Sequence, residues 1–174
     1  MLLQLKRQLL TGWSLTWQVG SLLRAGSLLG NRVPIVGKPL SMVLDRLVLV
    51  VFALDGSSRN IFVKDLRIPH PTGVLLGGNG IRSSGRVLVN SGVKFVGRSP
   101  TDPAYLERHE AREVFRLGDK VMIGANSVLV GPLSICDDVV IGAMSLVTAD
   151  ITRPGVYVGS PVRRIAGSAS DAWF

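Results

Sequence analysis

The chain of 174 residues holds two histidines, His70 and His109, and one cysteine, Cys136. Imidazole is the side chain whose ordinary titration falls nearest neutral pH, so the histidines are the candidates for moving a proton in a reaction. His70 lies in "RIPHPTGVLLGG" and His109 in "YLERHEAREVFR". The competing reading of His70 is a satisfied corner residue in an inert structural repeat. Cys136 has no basic neighbour in sequence to favour a thiolate and is read as structural. A lone cysteine excludes an intrachain disulfide framework, and two histidines with one cysteine are too few for the usual zinc sites, so no metal is expected.

What must position these groups is a repeat. Cut into sixes from Leu117, the sequence reads LGDKVM, IGANSV, LVGPLS, ICDDVV, IGAMSL, VTADIT, with Leu117, Ile123, Leu129, Ile135, Ile141 and Val147 in first position. The fifth positions, Val121, Ser127, Leu133, Val139, Ser145 and Ile151, are small or aliphatic as well. An α-helix turns a sixth residue about 240° from the first and cannot bury that spacing on one face. A β-helix can: each hexapeptide supplies a short flat face and a corner, and three make a triangular coil whose first-position side chains stack into a core.

The same grammar extends upstream with irregularities. "VLVNSGVKFVGR" places Val89 and Phe95 in first position and Val93 in fifth, and "GGNGIRSSGRV" carries an extra residue, so coils are expected from about residue 55 to 97 with a bulged corner. Residues 98–116 are out of phase, and a long loop inside a compact solenoid is usually functional. Residues 1–53 read as a helical cap over the first coil, although the apolar run from 47 to 54 also suits a strand. The parallel repeat is expected to end at Pro154, leaving a β-helix domain of residues 54–167 and a tail of 168–174.

The formal net charge of +8 attracts polyanions but does not choose among nucleic acid, anionic membrane and a phosphorylated cofactor. Aromatic residues are only 6% and none alternates with arginine as a stacking platform would require, which argues against nucleic acid. Lys6, Arg7, Arg24, Arg32, Lys38 and Arg46 interrupt the leucine-rich N-terminal third, so no spanning helix is expected, and residues 8–23 make a poor signal peptide. A cytoplasmic protein is the simplest reading, with contact of the N-terminal helices with a membrane surface as the alternative.

The segment "IGANSVLVGPLSICDDVVIGAMSLVTADITRPGVYVGSPVRRIAG" resembles the C-terminal half of the hexapeptide-repeat acyltransferases, whose left-handed β-helix ends in V-x-G-x-P-x-R-x-I, here Val156 or Val158, Gly159, Pro161, Arg163 and Ile165. "RIPHPTGVLLGG" is similar to the serine acetyltransferase branch, in which histidine followed closely by glycine and an aliphatic run marks the catalytic base. The resemblance covers about residues 50–167. It implies an all-β solenoid, a left-handed parallel β-helix with a short helical N-terminal cap, using acetyl-CoA as co-substrate.

Carried over residue by residue, the resemblance makes His70 the base and Asp55, in "FALDGSS", the acid that orients it. Arg108 and His109 match an Arg-His pair placed near the acceptor's carboxylate. Coenzyme A is expected along the later coils, on backbone near Ala125 and Ala143, with Arg163 or Arg164 on its phosphates and a backbone N–H near Gly97 as oxyanion donor. The family implies a homotrimer, or a dimer of trimers, with the site between subunits. Pro69 departs from the family, whose long members place aspartate directly before the histidine. The acceptor is thus left open between serine and a sugar, amino sugar or natural-product hydroxyl or amine, with a non-catalytic scaffold as the further alternative.

Overall fold

The computed structural model describes residues 15–98 and 101–168. Two antiparallel helices, α1 (Leu15–Arg32) and α2 (Gly37–Phe52), precede a parallel β-helix of triangular section. The apolar run 47–54 is therefore helical as far as Phe52. Its end is set by Ala53, which takes the left-handed conformation at φ 52° and donates its N–H to the Leu49 carbonyl. Small residues let the hairpin pack closely: a β-carbon at Gly37 would meet the Leu29 carbonyl oxygen at 2.0 Å, and one at Gly26 the Ser58 hydroxyl at 2.3 Å.

Three flat faces repeat in chain order. Face one stacks Asp55–Gly56, Leu75–Leu76, Lys94–Gly97, Val128–Gly131 and Leu146–Val147. Face two stacks the first halves of Ile61–Arg67 and Ile81–Val89 with Phe115–Leu117 and Leu133–Ile135. Face three stacks their second halves with Val121–Ile123, Val139–Ile141 and Gly155–Val158. Each later coil advances by eighteen residues, as in Val121 on Val139 and Val128 on Leu146.

All twelve first- and fifth-position residues of the hexapeptide reading are buried. They stack because parallel strands about 4.8 Å apart bring like positions of successive coils into contact. Phe95 and Phe115 pack edge to face in the interior, both fully buried, with ring centroids 5.0 Å apart. The two serines stacked in the later coils are paired: Ser127 donates its hydroxyl to the Gly142 carbonyl at 2.9 Å and accepts the Ser145 N–H at 3.2 Å, and Ser145 accepts the Gly159 N–H in turn. A buried hydroxyl left unpaired would cost about 1–3 kcal/mol.

The early coils depart from eighteen as the extra residue requires. Ile61 pairs with Ile81 but Asp65 with Arg86, a register shift across Val63 to Asp65. At the other end the parallel pairing continues past Pro154, since Gly155–Val158 lies on Val139–Ile141. The arginine-bearing strand Arg163–Ala166 then returns antiparallel. Pro154 sits in a corner, where a residue without an N–H loses no ladder bond. Residues 169–174, most of the expected tail, lie outside the described residues, as do residues 1–14 of the expected cap.

Candidate active site

His70 occupies the corner between faces three and one in the first coil, exposed between the buried Ile68 and Pro71. Its corner belongs to a column. Gly92 N–H donates to Thr72 O at 3.0 Å, Asn126 N–H to Ser91 O at 2.9 Å and Met144 N–H to Ala125 O at 2.8 Å. Ala125 and Ala143 thus stand two and three coils beyond His70 on one edge, about 10 and 14 Å along at the usual spacing. Asn126 and Met144 there hold φ values of 58° and 56°. Methionine in that region is strained by about 1–2 kcal/mol, and its exposed side chain reaches solvent beside Ala143.

Asp55 lies against the same corner. Gly73 N–H donates to Ala53 O at 2.9 Å and Asp55 N–H to Val74 O at 2.9 Å, so the start of face one rests on the turn that follows His70. The two side chains do not meet. Among the described residues neither imidazole nor carboxylate has a hydrogen-bond or ion-pair partner. His70 borders a cavity of about 250 Å³ with Val50–Ala53, Pro71 and Thr72. Asp55 borders another of about 360 Å³ with Asp45, Arg46, Arg59 and Gly78.

Arg108 and His109 sit at the opposite end of face one. Residues 101–114 fill the corner between faces one and two, and their helix α3 (Pro103–Glu110) starts at Asp102, whose carboxylate accepts the Ala104 N–H at 3.0 Å. His109 packs on Tyr105, with ring centroids 5.4 Å apart, and its carbonyl accepts Asn79 Nδ2 at 2.7 Å. Arg108 spends Nε on the Glu113 carbonyl at 3.0 Å and one terminal nitrogen on the Leu133 carbonyl at 3.1 Å. Burial, with Arg116 nearby, lowers the pKa of its guanidinium. Gly97 lies under the same helix, where an added β-carbon would strike Tyr105 Oη at 2.7 Å.

Within one chain the two ends stay apart. Six residues of extended backbone separate Gly73 from Asn79, roughly 20 Å. The structure gathers His70, Asp55, Ala125 and Ala143 at one corner, and Arg108, His109 and Gly97 at another. Arg163 and Arg164 follow the last corner of the first column. Arg164 bonds the Pro154 and Gly167 carbonyls, whereas the Arg163 guanidinium has no hydrogen-bond or ion-pair partner among the described residues.

Sequence reasoning missed the residues that seat the insert. Arg112 takes φ 55° and sends its guanidinium to Asn60 Oδ1 at 2.8 Å, to Asn31 Oδ1 at 3.2 Å and to the Arg59 carbonyl, with its central carbon 5.1 Å from the Phe62 ring centre. Partners 52 and 81 residues away leave no local signal. Cys136 sits partly buried at the corner between faces two and three, where burial and the neighbouring Asp137 and Asp138 push its thiol pKa up, the opposite of an activated nucleophile. Among the described residues no three His, Cys, Asp or Glu side chains cluster as a metal site.

A solenoid of hexapeptide coils under a short helical cap is the left-handed β-helix fold, the fold of the solved serine acetyltransferases on which the chain superposes. No family model matches the chain. It is 29% identical over 134 residues to "Probable serine acetyltransferase 1" of Oryza sativa subsp. japonica, an overlap of 77% of this chain and 41% of the rice protein. A Brucella abortus serine acetyltransferase in complex with coenzyme A superposes at TM-score 0.74 with 19% identity, covering 90% of this chain and 58% of that one. A soybean serine acetyltransferase complexed with serine superposes at 0.67 with 24% identity, covering 86% and 56%. By fold and sequence the chain is similar to the serine acetyltransferase branch of the hexapeptide-repeat acyltransferases. It spans less than half the length of the rice protein and under three fifths of the two solved chains.

Proposed function

We propose that the chain is an acetyl-CoA-dependent O-acetyltransferase working by direct transfer, with His70 as general base. The observation that carries this reading is the corner column, on which His70 stands in line with Ala125 and Ala143. Coenzyme A laid along that edge would bring its thioester toward His70 and leave its phosphates toward Arg163, whose forked guanidinium suits them. The Brucella and soybean structures, with coenzyme A and with serine, support the pairing of substrates.

In the proposed reaction an imidazole nitrogen of His70 takes the acceptor's hydroxyl proton as the oxygen attacks the thioester carbonyl. Collapse of the tetrahedral intermediate breaks the carbon–sulfur bond, and the thiolate leaves with the proton from the imidazolium, so no acyl-enzyme forms. Asp55, after a side-chain turn, orients the ring and stabilises its charged form. The oxyanion donor in this reading is backbone near Gly97 of the neighbouring copy, because Gly97 lies with Arg108 and His109 at the other corner.

His70 and the Arg108-His109 pair belong to different corners, and a site using both is completed by a neighbouring copy. The oligomer this calls for is a closed ring, a homotrimer or a dimer of trimers, in which each insert reaches the next subunit's His70. Serine is the first acceptor to test. A second reading, a sugar, amino sugar or other hydroxyl or amine, is favoured by Pro69 beside His70 and by the commitment of Arg108 to two backbone carbonyls.

The experiment follows thiol release from acetyl-CoA with L-serine and a panel of sugars and amino sugars, with His70→Ala beside the parent. Release with serine that vanishes in the variant supports the whole reading. Release with another acceptor alone keeps the chemistry and replaces serine. Release that persists in His70→Ala removes the general base from the account.

A further inference from the structure

The helical cap presents an apolar surface that nothing in the chain covers among the described residues. Val36 at the N-cap of α2 and Leu40, Val43, Leu47 and Val50 along it recur at spacings of four and three, and the four on the helix with Val51 occupy a sector about 100° wide. All six are exposed, Val50 by 82%. The opposite side of α2 packs inward through Gly37, Ser41 and Val48. Leu28 of α1 and Ile35 at the turn between the helices are exposed as well. Ile35 is 92% exposed and holds φ 65°, a region a β-branched residue rarely adopts. The turn thus displays an aliphatic side chain at a conformational cost.

Charge identifies the occupant. Residues 1–54 contain six lysines and arginines and one acid, Asp45. That carboxylate turns toward the solenoid to accept the Ser58 N–H at 3.0 Å. Arg46 is exposed on the flank of the stripe, and Arg32 and Lys38 are exposed around its N-terminal end, Lys38 on the far side of the helix. Two such caps would meet with like charges, which disfavours a second copy as the partner. The stripe is wholly aliphatic, without the Tyr, Trp or Arg anchors that dominate protein interfaces. Among the described residues no helix is long and apolar enough to cross a membrane. An apolar sector bordered by cations is what an interfacial helix needs to lie on a bilayer.

We propose that the outer face of α2, with Ile35 at its tip, docks the protein on an anionic lipid surface. Such docking carries the solenoid beside the membrane and is independent of which acceptor the enzyme uses. The test is flotation of the full chain with vesicles of phosphatidylcholine, with and without about 25% phosphatidylglycerol. The chain co-floats with the anionic vesicles, far less with the neutral ones, and is released as salt rises from about 0.1 to 0.5 M. Val43→Asp/Leu47→Asp lowers the bound fraction by roughly fivefold or more, with the circular dichroism and melting profile retained. Lys38→Glu/Arg46→Glu abolishes the preference for anionic lipid. Absence of flotation, or flotation indifferent to both double variants, overturns the proposal. So does an oligomer in lipid-free solution that Val43→Asp/Leu47→Asp breaks apart while the parent ignores vesicles, which would make the stripe a contact between copies.

Discussion

The two corners that bound face one are built by opposite means. At the corner between faces three and one, each coil turns with the same few atoms, and N–H to carbonyl bonds run from Thr72 through Ser91 and Ala125 without a break. At the corner between faces one and two, Pro132 alone spans from Gly131 to Leu133 in one coil, while in the coil before seventeen residues of sequence separate Gly97 from Phe115, of which 101–114 fill the equivalent place. The first corner is a straight, small-residue edge suited to an elongated ligand. The second is a strap held by side chains: Asn79 on the His109 carbonyl, Arg108 on two carbonyls and Arg112 on the cap. Repetition makes a track, and a single interruption makes a strap anchored by side chains.

Substitutions at each corner sharpen the contrast. His70→Ala has the largest expected effect, a fall in kcat/KM of about 10²–10⁴-fold with the melting temperature retained, because the imidazole is exposed and makes no structural bond. Leu129→Ala, inside the coils that hold the track straight, lowers unfolding free energy by about 2–5 kcal/mol in a denaturant titration. Arg112→Ala releases the strap from Asn31 and Asn60; we expect about 1–3 kcal/mol of lost stability, and a rise in KM for the acceptor larger than that for acetyl-CoA.

The smallest effect is a pH dependence. Asp119 accepts the Arg86 N–H at 2.7 Å and, with the Lys120 N–H adding to it, its carboxyl titrates below the ordinary 3.8. A depressed folded-state pKa contributes stability that is complete above the unfolded value and lost as pH falls through the folded one. Asp119→Asn therefore shrinks the loss of stability between neutral pH and pH below 3.8, measured by thermal unfolding across that range. An unchanged acid limb would show that the Asp119 carboxylate does not contribute to it.

The coils were legible because a β-helix repeats its core in sequence, so Leu117, Ile123 and their successors declare their burial six residues at a time. The irregular early coils showed as well, since an extra residue near Ser84 has to disturb the phase. The end at Pro154 was misread, because proline looks like a break in sequence while a solenoid corner tolerates it. Helix or strand for 47–54 was undecidable locally; the packing of Gly37 and Ser41 against α1 settled it. The candidate histidines were recognisable by type and motif. Their separation was not, because the phase of the repeat at each histidine, rather than the motif around it, decides which corner it occupies. The anchoring role of Arg112 depends on pairings across the chain and left no trace in its neighbours.

Mixing two inactive variants tests most directly whether the proposed site is shared between copies. His70→Ala and Arg108→Ala/His109→Ala would be unfolded together, refolded at equal ratio into mixed oligomers and assayed for thiol release with the acceptor that the parent uses. Random assembly of a closed ring restores about a quarter of the parental rate, because that fraction of interfaces pairs an intact His70 with an intact insert. Mixed oligomers that form and remain inactive, or a monomer with the full parental rate, would contradict the account.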